Sequence, residues 1–575
     1  MTKGLSFSDL FVFFAYIVIV ASYGYWIYSK KKKKTADTKD FFLAEGSLAW
    51  WAIGASLIAS NISAEQFIGM SGDGFFVGVA VSVYEWFAAV ALVIIAVWFM
   101  PIYLKNKIFT MPQFLKTRYN ESVALIMTVF WLFLYIFVNL TSILYLGSVA
   151  INGLLGGQYL HLIMIVLMLF ALIITLGGMK VIGYTDVIQV AVLIIGGLAT
   201  TYLALTIVSD KFGSGGSAIS GFLDLMKQAP EHFHLIQPKP TLTTTTIDQP
   251  ENLDIQKYII LPGILMYLGG QWVLHLNYWG CNQYITQRAL GADLKTARTG
   301  ILFAAFLKLL MPVIVMLPGI AAFVLYKNGH LPEMGQGSKD GAYSAILGFL
   351  PSGLKGLSLA ALTAAIVASL AGKANSISTI FTLDIFKKYI DKNASEKKLV
   401  WTGRLAIAAS MMVAVIFTWS DSLGIGGEGG FTFIQKYTGF ISPGVFATFI
   451  LGMFWKRTTG TAALVGIIAG LLLSILFNNY AVLLFGKETL LYTAFEYQKL
   501  DHGVVKTITE IPFLINIGWA FFFTVLIMIA VSLAGPKVNE KAFIFEKGMF
   551  KLEPRSIIMI VAAWMILAAL YIRFW

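Results

Sequence analysis

Long apolar runs recur along the chain, separated by short polar stretches. A helix needs about 20 apolar residues to cross the hydrocarbon core of a bilayer, so each run predicts a membrane-spanning helix. About fourteen follow on this reading, centred on residues 7–28, 48–72, 76–103, 123–152, 158–178, 184–208, 257–284, 299–326, 354–387, 400–419, 430–455, 460–484, 512–535 and 556–574. The longest polar connections are 209–256, 327–353 and 485–511. The first of them holds a Gly-Ser-Gly-Gly-Ser stretch and four consecutive threonines (Thr243 to Thr246), which predicts an irregular loop with at most a short helix near Ala218 to Lys227.

Two of the expected spans are chemically odd. The second carries Ser56, Ser60, Asn61, Ser63, Glu65 and Gln66, and the seventh runs Gly269-Gly-Gln-Trp-Val-Leu-His-Leu-Asn-Tyr-Trp-Gly-Cys-Asn-Gln283. Charged and amide groups are costly in hydrocarbon and therefore face a cavity or a partner. Small residues that merely allow tight helix packing account for the Gly and Ser, but not for Glu65, Gln66 or His275. Two polar, glycine-interrupted spans five apart predict an inverted-repeat transporter, in which unwound helices offer carbonyls to a cation and helix ends to a solute.

Composition and charge agree with this picture. The 575 residues are 58% hydrophobic and only 13% charged, with a mean hydropathy of +0.77. The net charge of +12 would suit nucleic acid if it lay on one face, but the cations fall in short loops between apolar runs, which is a topology signal. The basic run Lys30 to Lys34 follows the first apolar segment instead of preceding it, so that segment reads as a span and not as a cleavable leader. Cations stay in the cytoplasm, which puts the N-terminus outside, and 26 of the 42 Lys and Arg then fall in the inner segments. The C-terminus is expected outside as well. The single cysteine, Cys281, excludes an internal disulfide and reads as a small buried hydrophobe. No phosphate-binding loop points to ATP, and no metal-ligand cluster or nucleophile–base motif points to an enzyme.

The stretch Ala59-Ser-Asn-Ile-Ser-Ala-Glu-Gln-Phe-Ile-Gly-Met-Ser-Gly72 resembles the signature of the sodium/solute symporter family. Tyr84-Glu-Trp86, Tyr184-Thr-Asp-Val-Ile-Gln189, Asn282-Gln-Tyr-Ile-Thr-Gln-Arg288, Phe303-Ala-Ala-Phe-Leu-Lys308, Ile380-Phe-Thr-Leu-Asp384 and Tyr437-Thr-Gly-Phe-Ile-Ser-Pro443 fit the same pattern in the same order, with the sodium/galactose branch of that family the nearest likeness. The resemblance implies an all-α integral membrane protein of the leucine-transporter type, a five-plus-five inverted repeat with discontinuous second and seventh spans. It implies a first span and basic linker over 1–45, a first repeat over 46–209, an outer loop over 210–256, a second repeat over 257–456 and three peripheral spans over 457–575. The function implied is sodium-coupled import of a sugar such as galactose or glucose across the cell membrane.

Carried over residue by residue, the resemblance implies a sugar site at Asn61, Gln66, Glu85, His275, Tyr278, Trp279, Lys308 and Gln435. The chemistry agrees: each sugar hydroxyl needs a partner in a dry site, and these side chains include donors, acceptors and groups that do both. Tyr278 is implied as a flat ring that closes the site from the inside. Each has a plainer reading. Glu85 with Lys308 suits a structural ion pair, Gln435 interhelical glue, His275 a satisfied buried ring, and Tyr278 and Trp279 packing aromatics. His275 stands where the sodium/galactose branch has asparagine, so the identity of the sugar does not follow; Asn277 can supply an amide nearby. An inositol, sialic acid, carboxylate or nucleoside is an alternative solute, although Gln66, Glu85 and Gln435 favour a neutral polyhydroxylated one.

The sodium site implied uses carbonyls of Ala59, Ile62 and Ala365 and two adjacent hydroxyls, here reading Ala368-Ser369, so one hydroxyl is lost unless water or Ser60 replaces it. Asp186 falls on the implied sodium exit route, and its plainer reading is a helix N-terminal cap. Lys373, one turn beyond Ser369, is where relatives carry an uncharged residue. Three readings stay open. It snorkels or pairs with a carboxylate such as Asp186; it repels sodium and speeds inward release; or its ammonium replaces sodium and leaves a proton-linked or uncoupled transporter. A facilitator or sensor on the same fold is the rival class. Oligomeric state does not follow from the sequence.

Overall fold

The computed structural model describes residues 5–31, 41–42, 48–155, 157–241, 245–331, 341–421, 430–501 and 504–575. A helix lies within every segment that the apolar pattern marks as a span. They are α1 (Phe7–Lys31), α2 (Trp50–Asn61), α3 (residues 65–77), α4 (residues 83–105), α5 (Glu121–Leu154), α6 (Leu160–Thr175) and α7 (Met179–Phe212), then α8 (Pro250–Leu268), α9 (Gln271–Cys281), α10 (Gln283–Leu290), α11 (Leu294–Lys327), α12 (Leu354–Ile390), α13 (Glu396–Thr418), α14 (Gly430–Phe454), α15 (Gly460–Phe485), α16 (Phe513–Leu533) and α17 (Pro554–Phe574). By length and apolarity, eleven helices among the described residues can cross a membrane, or twelve if the pair α8 and α9 counts as one span. That criterion stops short of the expected fourteen because α6 has only 16 residues and the second span is divided.

Both expected discontinuities are present. α2 ends at Asn61, and Ile62 is extended at φ −74° and ψ 118° before helix resumes at α3. In the seventh span the chain bends by 79° between Leu268 and Gln271. It unwinds a second time at Asn282, which is extended at φ −92° and ψ 130° between α9 and α10.

Around these breaks the helices pack through small residues. α7 lies along α12, and α2 lies against α11. A Cβ at Gly54 would meet the Gly300 carbonyl at 2.7 Å, and one at Gly300 would meet the Trp50 carbonyl at 2.8 Å, so only glycine lets these backbones approach so closely. α1 and α17 are peripheral, with most of their apolar surface left for lipid.

Two features outside the spans bear on the sequence reading. The connection after α7 holds the expected short helix, Ala218–Gln228. In the connection between α15 and α16, β1 (Phe495–Asp501) and β2 (Val504–Glu510) form an antiparallel hairpin, the one sheet among the described residues. The hairpin lies on α8 through Phe495 and Tyr258, whose rings meet edge to face at 5.3 Å.

Candidate functional site

The broken second span sets up the site. In a continuous helix the Ser63 N–H would donate to the Ala59 carbonyl. Here it donates to Gln66 Oε1 at 2.9 Å, with the Ser63 hydroxyl 3.2 Å from the same oxygen. The Glu65 N–H likewise turns to Ser63 Oγ at 3.3 Å. The side chains after the break thus satisfy the donors that the unwound turn releases, and the Ala59 carbonyl is left without its usual partner.

All eight residues of the expected sugar site line one buried cavity between α2, α3, α4, α9, α11 and α14. Its volume is about 50 Å³, less than a monosaccharide needs. Lys308 Nζ donates to Glu85 Oε2 at 2.5 Å, and both side chains are almost fully buried. The same ammonium lies 5.4 Å from the centre of the Trp279 ring, within cation–π range. Asn61 Nδ2 donates to the Tyr278 hydroxyl at 2.9 Å, tying the end of α2 to α9. Asn61 Oδ1 and Asn277 Oδ1 are buried without hydrogen-bond partners, while Asn277 Nδ2 donates to Ser442 Oγ at 3.0 Å. Gln435 is half-buried on α14 and faces the same space.

His275 differs from its neighbours. Its Nε2 lies 2.7 Å from the Tyr84 carbonyl oxygen and its Nδ1 2.8 Å from the Gln271 carbonyl oxygen. Both nitrogens therefore face backbone acceptors; a neutral ring donates to one of them and an imidazolium to both. His275 borders the cavity with ring carbons more than with a free polar edge.

The expected sodium residues lie where α2 meets α12. Ala59, Ile62, Ala365, Ala368 and Ser369 are all buried. The Ser369 hydroxyl donates to the Ser60 carbonyl at 3.1 Å, joining the two helices at the point where α2 unwinds. The Ser60 hydroxyl donates to the Ser56 carbonyl of its own helix at 2.8 Å.

Two expectations are corrected here. Asp186 is not a helix cap: α7 starts at Met179, about two turns earlier. Nor does Asp186 pair with Lys373. It accepts a hydrogen bond from Ser56 Oγ at 2.5 Å and lies 3.5 Å from Arg288 Nη2. Arg288 also donates through Nε to Ser56 Oγ at 2.8 Å and to the Ser56 carbonyl at 3.0 Å. A buried Ser56–Asp186–Arg288 cluster follows, one turn along α2 from Ser60. A side chain at Gly372 would collide with Arg288 Nη2, 2.6 Å from its Cβ, so the glycine makes room for the guanidinium. Lys373 Nζ instead donates to Ser369 Oγ at 2.9 Å and sits 5.0 Å from the centre of the Tyr284 ring. Arg288 lies four residues beyond the expected end of the seventh span, among the cations of an inner loop, so the sequence offers no signal for its burial beside Asp186.

The profile of the sodium:solute symporter family matches residues 41–470. The chain is 40% identical to a sodium/glucose cotransporter of Vibrio parahaemolyticus over all of this chain and 99% of that one. It is 34% identical to the Homo sapiens sodium/myo-inositol cotransporter 2, over 82% of this chain and 70% of that one. To the Mus musculus sodium/glucose cotransporter 1 it is 32% identical, over 81% and 71%. In structure it resembles a Na+-coupled sialic acid symporter solved in a substrate-bound, outward-open state. The TM-score is 0.73 at 20% identity, covering 93% of this chain and 99% of that one.

Proposed function

The chain belongs to the sodium:solute symporter family, and from that premise we propose that it is a multi-pass membrane protein that imports a sugar together with sodium. One observation carries the sugar: Asn61, Gln66, Glu85, His275, Tyr278, Trp279, Lys308 and Gln435 converge on a single buried cavity. Such a cluster of hydrogen-bonding groups is costly in a membrane core unless a polar solute answers them. Gln66 Oε1 is engaged by Ser63, so toward the solute this residue offers its N–H groups. Glu85 accepts and Lys308 donates. Tyr278, held by Asn61, is taken as the ring that covers the sugar and closes its inner side. Likeness to a sodium/glucose cotransporter over the full length favours a hexose. A cyclic polyol is the second reading, because a sodium/myo-inositol cotransporter is 34% identical.

Sodium is read at the junction of α2 and α12, bound by the Ala59, Ile62 and Ala365 carbonyls and the Ser369 hydroxyl. Oxygen donors from unwound backbone suit a hard cation, and the diversion of the Ser63 N–H, the usual helical partner of the Ala59 carbonyl, to Gln66 supports the reading. The Ser56–Asp186–Arg288 cluster lies beside the exit route. We take residues 46–209 and 257–456 as the two inverted repeats, with both termini outside the cell membrane. One charge driven through 100 mV supplies about 2.3 kcal/mol, or roughly a fifty-fold solute gradient, without ATP.

Uptake into proteoliposomes tests this. D-galactose, D-glucose and myo-inositol are offered with an inward sodium gradient and, in parallel, with choline. Accumulation of at least one of them only with sodium is expected. Equal uptake with choline removes the coupling, and uptake of none removes the solute class.

A further inference from the structure

Lys373 stands where the two sites meet, and neither the sugar site nor the sodium site needs it. It lies on α12, one turn beyond Ser369, and is buried. Its ammonium donates to Ser369 Oγ at 2.9 Å, while that hydroxyl gives its own proton to the Ser60 carbonyl at 3.1 Å. A serine hydroxyl has one proton and two lone pairs. Ser369 therefore directs its proton to α2 and a lone pair to Lys373. A sodium ion bound at Ser369 takes the remaining lone pair of that same oxygen, beside the ammonium that already holds the other. It also brings a second positive charge to within a few ångström of a buried one, where screening is weak. The ion and the ammonium compete for one oxygen.

The ammonium has somewhere to go. Lys373 also lines the solute cavity, with Asn61, Glu65 and Tyr284. Glu65 begins α3 just past the break, is buried, and has Oε1 without a hydrogen-bond partner. Its charge and that of Lys373 attract each other, yet among the described residues Lys373 forms no ion pair. The Tyr284 ring, 5.0 Å from Nζ and on the wall of the same cavity, offers a cation–π surface to the ammonium.

We infer that Lys373 is a tethered competitor for the cation site: sodium arriving at Ser369 displaces its ammonium toward Glu65 at the wall of the solute cavity, so one side chain carries cation occupancy to the solute site. This rests on the sodium-coupled reading above. Competition keeps sodium affinity low, in the same direction as the missing hydroxyl at Ala368, and returning the ammonium to Ser369 expels the ion.

Equilibrium binding of radioactive sodium to the purified full chain tests this without any choice of sugar. Lys373→Met and Lys373→Gln remove a buried charge and shorten the unbranched side chain by only one atom, so both are expected to fold. Each should bind sodium at least about five-fold more tightly than the unaltered protein. Glu65→Gln should weaken sodium binding in the unaltered background and change it less than about two-fold in the Lys373→Met background. Sodium binding unchanged or weakened in both Lys373 variants overturns the competition. An equal effect of Glu65→Gln in both backgrounds overturns the transfer to Glu65. Absence of sodium binding in the unaltered chain and in every variant is a different failure, because it removes the sodium-coupled reading itself.

Discussion

Lys308 Nζ and Glu85 Oε2 lie 2.5 Å apart between α11 and α4, and water reaches neither side chain to any extent. Removing one member of such a pair strands the other charge in a medium that solvates it poorly, at a cost of about 3–5 kcal/mol. Glu85→Gln and Lys308→Met are therefore each expected to lower the melting temperature of the detergent-purified protein and to abolish solute uptake. The double variant Glu85→Gln/Lys308→Met should regain much of the lost stability while uptake stays absent. Fluorescence-monitored melting checks this, and a double variant no more stable than the singles would refute the pairing.

Gln66 and Gln435 face one cavity from α3 and α14. A neutral hydrogen bond contributes about 0.5–1.5 kcal/mol net, so Gln435→Ala should raise the half-saturating sugar concentration roughly two- to twelve-fold. Gln66→Ala should cost more, because Gln66 Oε1 also holds the Ser63 N–H that keeps α2 unwound. Sugar titrations at saturating sodium measure both, and unaltered half-saturation in both variants would remove these residues from the site.

Ser369 joins α12 to the Ser60 carbonyl at 3.1 Å and supplies the hydroxyl of the proposed sodium site. Ala368 already lacks the neighbouring hydroxyl, so the site has little redundancy. Ser369→Ala should leave too few oxygen donors for a hard cation and abolish sodium-stimulated uptake. Uptake that stays fully dependent on sodium in this variant would displace the site from this helix pair.

The polar, interrupted second and seventh spans were legible in the sequence, because polar residues on otherwise apolar spans have few places to go. The further members of the site, Glu85, Lys308 and Gln435 among them, came from the family resemblance, with the pairing of Glu85 and Lys308 as their plainer reading. What was not legible is partner choice. Asp186 can reach several cations by charge alone, and only the packing of α7, α2 and α10 selects Arg288 over Lys373. Nε2 of His275 turns to a backbone carbonyl because α4 passes close enough to present Tyr84, a proximity between distant segments, while Nδ1 faces the Gln271 carbonyl of its own helix. The hairpin after α15 has no clear sequence signature, because apolar residues such as Leu500, Val504 and Val505 are exposed and blur the alternation of its strands.

Beyond the spans, His232 fastens the long loop after α7 to the ends of α3 and α11. Its ring stacks on Phe323 at 3.9 Å, and Nε2–H donates to the Phe75 carbonyl at 3.0 Å. Burial, the largest influence, pushes its pKa down to about 4 from the usual 6.5, outweighing Glu231, whose carboxylate lies 3.8 Å from Nδ1 and acts the other way. The folded loop thus prefers the neutral ring, whereas the unfolded chain takes up a proton near pH 6.5. A depressed folded pKa means that this contribution is intact above pH 6.5 and is lost as the pH falls from there through about 4. The loss reaches about 3 kcal/mol at most. His232→Phe keeps a ring against Phe323 but cannot take up a proton. Its melting temperature is expected to fall less than that of the unaltered protein between pH 6.5 and 4, and parallel curves would show that His232 does not set the acid sensitivity of this loop.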